Sequence, residues 1–355
     1  MRYIGNKTRL LDFIRRKLRV RGIRDGTAVD PFCGTASVAR ALKRWNFHVV
    51  AADLMEYGHV LARARVQANG MPAFEHLMKN IPARGPRIDA VLASLNRLPP
   101  EPGFIHGHYS PEGSEGQRHE RMYFTPANAA RIDAIRKRLH VWHINGLLSD
   151  DAFYVLLASL IEAADRVANT TGVYAAFVKT WQPNARRPLE LRRPDPVPGN
   201  GCRAVRADAM KLVAELDDFN LLYLDPPYNN RQYAGYYHVP EVIATGWFDA
   251  PILTRGKTGL IADDDRRSDW SRPRLAAAVF EQLVASARWK HIVMSYNAEG
   301  IIPEATIERV LREQGRASTY RRYNRQYKRY RSDADSETRR YSADVVTEYL
   351  YCVDR

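Results

Sequence analysis

The chain has 355 residues, of which 45% are hydrophobic and 10% aromatic, with a formal net charge of +14 and an isoelectric point near 9.7. That composition excludes a disordered or fibrous chain and allows one large core, or a core with one insert, burying roughly 75% of the unfolded surface. Three scattered cysteines (Cys33, Cys202, Cys352) show neither a disulfide framework nor zinc spacing, and no apolar run approaches the ~20 residues of a membrane helix. A reducing cytoplasm fits this usage, and the polar opening MRYIGNK is unlike a secretory leader. No repeat of fixed period is present. The basic excess is clustered: residues 1–26 hold nine Lys/Arg against two acids, 184–206 six against two, and 320–331 six against none. Clustering of this kind points to a polyanionic partner rather than to solubility in general.

In chain order, Tyr3-Ile4-Gly5-Asn6-Lys7 leads into a basic amphipathic helix through Leu10, Leu11, Ile14 and Leu18. A lysine beside a glycine and a ring at a loop-to-helix junction suits the carboxylate of an amino-acid-like ligand; a solvated helix start is the plainer account. Thr27 to Ser37, TAVDPFCGTAS, reads as strand, tight turn and helix, the first unit of a Rossmann-like fold. The full Gly-x-Gly-x-x-Gly is missing, which argues against a pyrophosphate cofactor. With an acid, Asp30, and a single Gly34, the turn better serves a cationic sulfonium ligand with an adenosine end. The strand Val49 to Asp53 ends in a second acid, placed either to accept both ribose hydroxyls or to cap the helix that follows.

From about Met71 to Gly201 the α/β rhythm breaks. Residues 99–125, rich in Gly, Pro, Ser and His, read as a loop long enough to be functional or mobile. Helices are predicted to start at Thr125-Pro126 and at Ser149, both with capping chemistry. His106, His108, His119, His140 and His143 lack companion ligands at set spacings, so no metal site is expected. Trp181 to Arg206, with Arg186, Arg187, Arg192 and Arg193 amid prolines, reads as an extended basic arm or a solvated linker. The rhythm resumes at Ala204 to Ala207, and Asp208 is placed for the amino group of a cofactor adenine or for helix capping.

The stretch LLYLDPPYNNRQY, Leu221 to Tyr233, organises the rest. An apolar strand stops at Asp225, Pro226, Pro227 and Tyr228, because two prolines cannot continue a ladder, so these groups project from the strand's carboxyl end, where ligands of open α/β sheets bind. The Asp225 carboxylate and the Pro226 carbonyl could each accept one N–H of an exocyclic amine and aim its lone pair at a methyl donor. Orientation of this kind supplies roughly 7 to 11 kcal/mol of a barrier. Tyr228 would stack on an extruded base and return about 1 to 3 kcal/mol. Helices from Val239 and from Leu275 follow, separated by an acidic loop at Asp263, Asp264 and Asp265 that reads as solvated. The strand Ile292 to Asn297 ends in polar residues beside the presumed pocket. Tyr320 to Arg331, YRRYNRQYKRYR, suits phosphates and stacked bases, with an arginine-blunted edge strand as the alternative, and Val345 to Val353 reads as a closing strand.

Taken together, YIGNK, DPFCGTAS, the strand ending at Asp53, the Ala207-Asp208-Ala209 turn, DPPYNNRQY and SYN resemble the Dam-like α-class of N6-adenine DNA methyltransferases. YFTPANAARIDAIR and VANTTGVY bring the resemblance nearer to the FokI-type modification branch. It implies an α/β, Rossmann-like class I methyltransferase fold with a mostly parallel sheet and a largely helical inserted domain. Residues 1–70 and 202–355 would form the catalytic domain, and 71–201 the target-recognition insert. It further implies S-adenosylmethionine as cofactor, held by Tyr3, Lys7, Phe32, Gly34 and Asp53, with Asp225 serving both cofactor and target amine. Pro226, Pro227 and Tyr228 would surround a flipped adenine. The implied partner is double-stranded DNA, with the presence of a cognate restriction endonuclease left open, and the setting a nucleoid-associated, cytoplasmic one. An RNA amino-methyltransferase and a non-catalytic nucleic-acid-binding protein are the alternatives. Ala36 stands where that family often has a glycine, and Gly5-Asn6 where Dam commonly has two.

Overall fold

The computed structural model describes residues 1–79, 81, 85–117, 119–199, 201–261, 266–328 and 345–355. The predicted acidic loop at Asp263, Asp264 and Asp265, and Arg329, Tyr330 and Arg331 of the tyrosine-arginine run, lie outside them. Nine strands are described: β1 (Gly26–Asp30), β2 (Phe47–Asp53), β3 (Arg203–Arg206), β4 (Phe219–Leu224), β5 (Thr254–Arg255), β6 (Leu260–Ile261), β7 (Trp289–Asn297), β8 (Arg321–Lys328) and β9 (Val345–Asp354). The chain divides into two compact units. One comprises Gly5–Ala62, Gly199–Gln232 and Arg266–Arg355, the other Met1–Ile4, Arg63–Pro198 and Tyr233–Asp265. Residues 1–4 and 233–265 thus cluster with the helical part rather than with the sheet, a more interleaved division than the sequence suggests.

The first unit is built on a seven-stranded sheet ordered β3-β2-β1-β4-β7-β9-β8. The strands from β3 to β7 are parallel, while β9 runs antiparallel between β7 and β8. Leu221, Leu222, Tyr223 and Leu224 of β4 are all buried, the continuous apolar run expected of a strand covered on both faces. Val29, Leu222, Leu224 and Met294 form one core cluster with Phe280 and Leu283 of helix Ala276–Ser286 and with Ile307, Val310 and Leu311 of helix Glu304–Gln314. From β1 the chain builds outward through β2 to β3, then returns to lay β4 on the other side. The carboxyl ends of β1 and β4 therefore flank the switch point of the sheet, the position at which ligands of open α/β sheets bind.

At the sheet edge, rings and cations of β8 make contacts within the same unit. The Lys17 ammonium lies 4.0 Å from the Tyr323 ring centroid and the Arg322 guanidinium 5.0 Å from that of Tyr349. β8 is an edge strand, and its cations blunt an otherwise open ladder, which does not bear on contacts with phosphates and bases.

The second unit is mainly helical. Thr125 caps helix Pro126–Ile144 by accepting from Asn128 N, and Ser149 caps helix Asp150–Val167 by accepting from Ala152 N. Residues 99–125, expected as a loop, instead contain helix Phe104–Tyr109 and bury Tyr109, Ser114, Arg121 and Tyr123. The cause lies in a distant acid: Asp133 accepts from the backbone N–H of Gly103, Ile105 and His106 at 2.8–2.9 Å, so the helix start is capped from outside its own segment. The predicted basic arm is not free: it ends in β3, and the part before that is irregular but anchored. Asn128 donates to the carbonyls of Ala185 and Arg187, Ser159 to that of Arg192, and Ala185, Leu189 and Leu191 are buried, whereas Arg186, Arg187, Arg192 and Arg193 are exposed. The histidine rings pack: His108, His140 and His143 lie against Phe104, Phe248 and Phe153 at 4.1–4.2 Å. No group of three or more His, Cys, Asp and Glu suited to a metal, and no helix long and apolar enough to cross a membrane, occurs among the described residues.

Candidate active site

Asp30, Asp53 and Asp225 stand at the carboxyl ends of β1, β2 and β4, three neighbours in the sheet. The turn after β1 is tied to β2 twice, by Cys33 N donating to Ala52 O at 2.9 Å and by Gly34 N donating to Asp53 Oδ2 at 2.8 Å. Its backbone is left-handed at Gly34 (φ 52°) and again at Ala36 (φ 56°, ψ 26°). Glycine adopts that conformation freely, but at Ala36 it costs about 1–2 kcal/mol, which the turn's other contacts hold in place.

Asp53 takes up the capping account and also ties the turn after β1. Its Oδ1 accepts from Met55 N at 2.9 Å, opening the chain into helix Glu56–Ala62, while Oδ2 fixes the turn. Gly58 makes room for this arrangement, because a Cβ there would lie 2.6 Å from Asp53 Cγ. Burial pushes the Asp53 carboxyl up to about 6 despite the N–H groups that favour its charged form. Asp30, 1% exposed, is pushed well above the usual carboxylate range, first by burial and then by the neighbouring Asp225.

Past β4 the chain leaves the core at Asp225, whose side chain keeps 19% of its surface exposed. The next residues are held by the end of β7 and the loop after it. Tyr296 Oη accepts from Ile302 N at 3.2 Å and reaches the Pro227 carbonyl at 3.5 Å, and Ile301 N donates to Tyr228 O at 3.2 Å. Gln232 and Ser268 exchange hydrogen bonds of 3.0 and 2.8 Å, closing the far end of the segment. Tyr228 and Phe32 are half-buried against the same core, and Phe32 meets Trp270 edge-on at 4.7 Å. The Pro227 and Tyr228 carbonyls, next along the chain from Asp225, are thus tied to the end of β7 and the loop that follows it.

Lys7 is 2% exposed, and its ammonium lies 3.1 Å from Asp225 Oδ1 and 2.6 Å from Glu348 Oε1. Lys7 forms its ion pairs within the protein, since a buried ammonium needs anionic partners to offset its lost hydration. Burial pushes Asp225 up to about 7, Lys7 holds it down, and Glu348 pushes it up further. Asp208 caps helix Ala209–Glu215 by accepting from Met210 N at 2.9 Å, the capping alternative. Tyr3 falls in the helical unit, its ring stacked on Tyr237 at 4.7 Å.

Glu348 and Gly58 escape a reading of motifs. Glu348, 1% exposed, also accepts from Ser295 Oγ at 2.6 Å. Its signal was present: an acid inside the apolar run Val345 to Val353 is anomalous in a strand with neighbours on both sides.

A family model of the D12 class N6 adenine-specific DNA methyltransferases matches residues 3–296. The chain belongs to that family. Its sheet is that of a Rossmann-like methyltransferase, and a DNA substrate and a methyl donor go with membership. The type II methyltransferase M.FokI of Planomicrobium okeanokoites is 34% identical over 366 residues, which take in 100% of this chain and 53% of that protein. The type II methyltransferase M.NlaIII of Neisseria lactamica is 33% identical, with 100% of this chain and 99% of that protein covered. For the modification methylase LlaI of Lactococcus lactis the figures are 33% identity, 85% and 47%. The chain therefore spans about half of M.FokI and LlaI and nearly all of M.NlaIII.

Proposed function

We propose that the chain moves a methyl group from S-adenosylmethionine to the N6 amino group of an adenine extruded from double-stranded DNA, as the modification enzyme of a restriction-modification pair or as a solitary one. The observation that carries this reading is Asp225: an acid at the switch point of the sheet, partly exposed, engaged by a buried lysine and followed by two prolines, the carbonyl of the second reached by Tyr296 of β7. S-adenosylmethionine, when bound, supplies a methyl group made electrophilic by its sulfonium. The residues present suit such a ligand: the turn offers a buried acid and one glycine rather than a phosphate cradle, and Asp53 lies at the adjacent strand end.

The ionised Asp225 carboxylate accepts one N–H of the amine and the Pro226 carbonyl the other. Two acceptors on one nitrogen draw its lone pair out of conjugation with the ring. The proton displaced after transfer leaves through Asp225 or to water. Tyr228 covers the base, offsetting much of the few kcal/mol that extrusion costs. Phe32, Gly34, Asp30 and Asp53 frame the cofactor, and Lys7 acts on it through Asp225.

The exposed Arg186, Arg187, Arg192 and Arg193, on a segment held by Asn128 and Ser159, suit phosphate contacts of the target-recognition part. Such an enzyme works where DNA lies, in the cytoplasm at the nucleoid. The test is transfer of labelled methyl to plasmid DNA: Asp225→Ala is expected to lose at least a hundredfold in rate, and wild-type turnover by that variant excludes the role. Preference for RNA over duplex DNA would favour the ribosomal alternative, and methylation-sensitive sequencing of an expressing host reads out the target.

A further inference from the structure

We infer that Glu348 is a positioning residue that keeps Asp225 open as an acceptor by drawing the Lys7 ammonium onto itself. The inference rests on the role proposed for Asp225 and adds a residue from the last strand of the sheet to that site. The geometry is unequal: Lys7 Nζ is 2.6 Å from Glu348 Oε1 but 3.1 Å from Asp225 Oδ1. Ser295 Oγ donates to the same Glu348 oxygen at 2.6 Å, so two donors from different strands and loops fix this carboxylate in place. Ser295 and Glu348 are 0% and 1% exposed, and the Asp225 side chain, at 19%, is the one member of the cluster that reaches toward solvent.

Consider the site without Glu348. A buried ammonium facing a single carboxylate closes into a neutral pair, and its N–H groups occupy the lone pairs that an incoming amine must use. With Glu348 present and Asp225 ionised, one positive and two negative groups leave the cluster with a net charge of −1. That excess is expressed at Asp225, the accessible end. A site of this charge attracts a cation and stabilises positive charge that develops on the amine as it is alkylated. Lys7 still restrains Asp225 from taking a proton, so the two neighbours set opposing limits on the same carboxyl.

Asp225 is also faced by Asp30 from β1 and by the phenols of Tyr223 on β4 and Tyr296 on β7. These groups are shared by every variant below, so a difference between variants reports on Glu348. The test compares wild-type protein with Glu348→Gln, which keeps size and hydrogen bonding and removes the charge. The acid limb of kcat/KM for methyl transfer to plasmid DNA is expected to move down by about one to two pH units. The plateau rate falls at least tenfold, because the ammonium closes onto Asp225.

Calorimetry at pH 8 gives a readout independent of turnover. Affinity for S-adenosylmethionine, a sulfonium, falls at least fivefold, while affinity for S-adenosylhomocysteine, its neutral thioether, changes less than twofold. An acid limb that stays in place, or equal losses for the two ligands, makes Glu348 a structural residue and overturns the inference. Should Glu348→Gln fail to show a cooperative melt, Glu348→Asp replaces it, withdrawing the carboxylate from Lys7 by one methylene. Its acid limb then moves in the same direction by a smaller step, and an unmoved limb is again decisive against the inference. Absence of methyl transfer and of cofactor binding by the wild-type protein would instead refute the function proposed above.

Discussion

Replacing Lys7 by Met removes the only positive charge shown within 4 Å of Asp225 among the described residues, leaving the partly exposed Asp225 and the buried Glu348 as two acids without their shared counterion. Two unit charges 3.1 Å apart at an effective dielectric constant near 20 attract by about 5 kcal/mol, so losing the lysine removes up to ~4 pH units of restraint on the Asp225 proton. Part of that is given back, because one proton shared between the two acids relieves their repulsion. From a starting value of about 7, the Asp225 carboxyl of Lys7→Met then titrates well into the alkaline range, and at pH 7.5 its ionised fraction falls by about two orders of magnitude. The expected result is a loss of roughly a hundredfold in methyl transfer at pH 7.5, with the rate climbing about tenfold per pH unit as the medium is made more alkaline.

The linked stability has a definite sign. An acid whose folded value lies above its unfolded one binds more protons in the folded state, so its contribution to stability is lost as pH rises between the two values. Lys7→Met should therefore melt at a temperature that falls more steeply from pH 6 to pH 9 than that of the wild-type protein. The assay pairs labelled-methyl transfer with melting curves across that range. A variant whose pH-rate profile superimposes on that of the wild type would refute the claim that Lys7 governs the charge of Asp225.

Three further outcomes follow from the same geometry. Gly58→Ala places a methyl group 2.6 Å from Asp53 Cγ, so cofactor affinity measured by calorimetry is expected to fall at least tenfold. The melting temperature should move little, because the ~1 kcal/mol that a helix gains from Gly→Ala offsets the crowding. Ala36→Gly relieves a left-handed alanine and should raise stability to denaturant by about 1 kcal/mol, with an unchanged or lowered midpoint counting against the strain. Asp133→Ala orphans the three N–H groups of Gly103, Ile105 and His106 and should cost about 2–4 kcal/mol in urea unfolding. Cofactor affinity of the Asp133 variant should be unaltered, which separates a structural cap from a residue of the site.

Much of this protein is determined locally and can be read along the chain. The apolar runs at Val49 to Ala52 and Leu221 to Leu224 become strands because they are continuous, and Thr125 and Ser149 begin helices because each carries its capping oxygen with it. The stop at Asp225-Pro226-Pro227 is equally local, since proline supplies no donor to a ladder. What the chain alone left open are questions of partnership across long separations. The placement of Lys7 against Asp225 and Glu348 spans 341 residues, and which acid offsets a buried ammonium depends on the sheet order that brings β4, β7 and β9 side by side. Residues 99–125 look like a loop because the cap of their helix, Asp133, sits outside them. Composition and period decide which segments are strands and helices, because those depend on near neighbours; the charge of a buried group depends on whatever the completed fold sets beside it, and only the tertiary structure decides that.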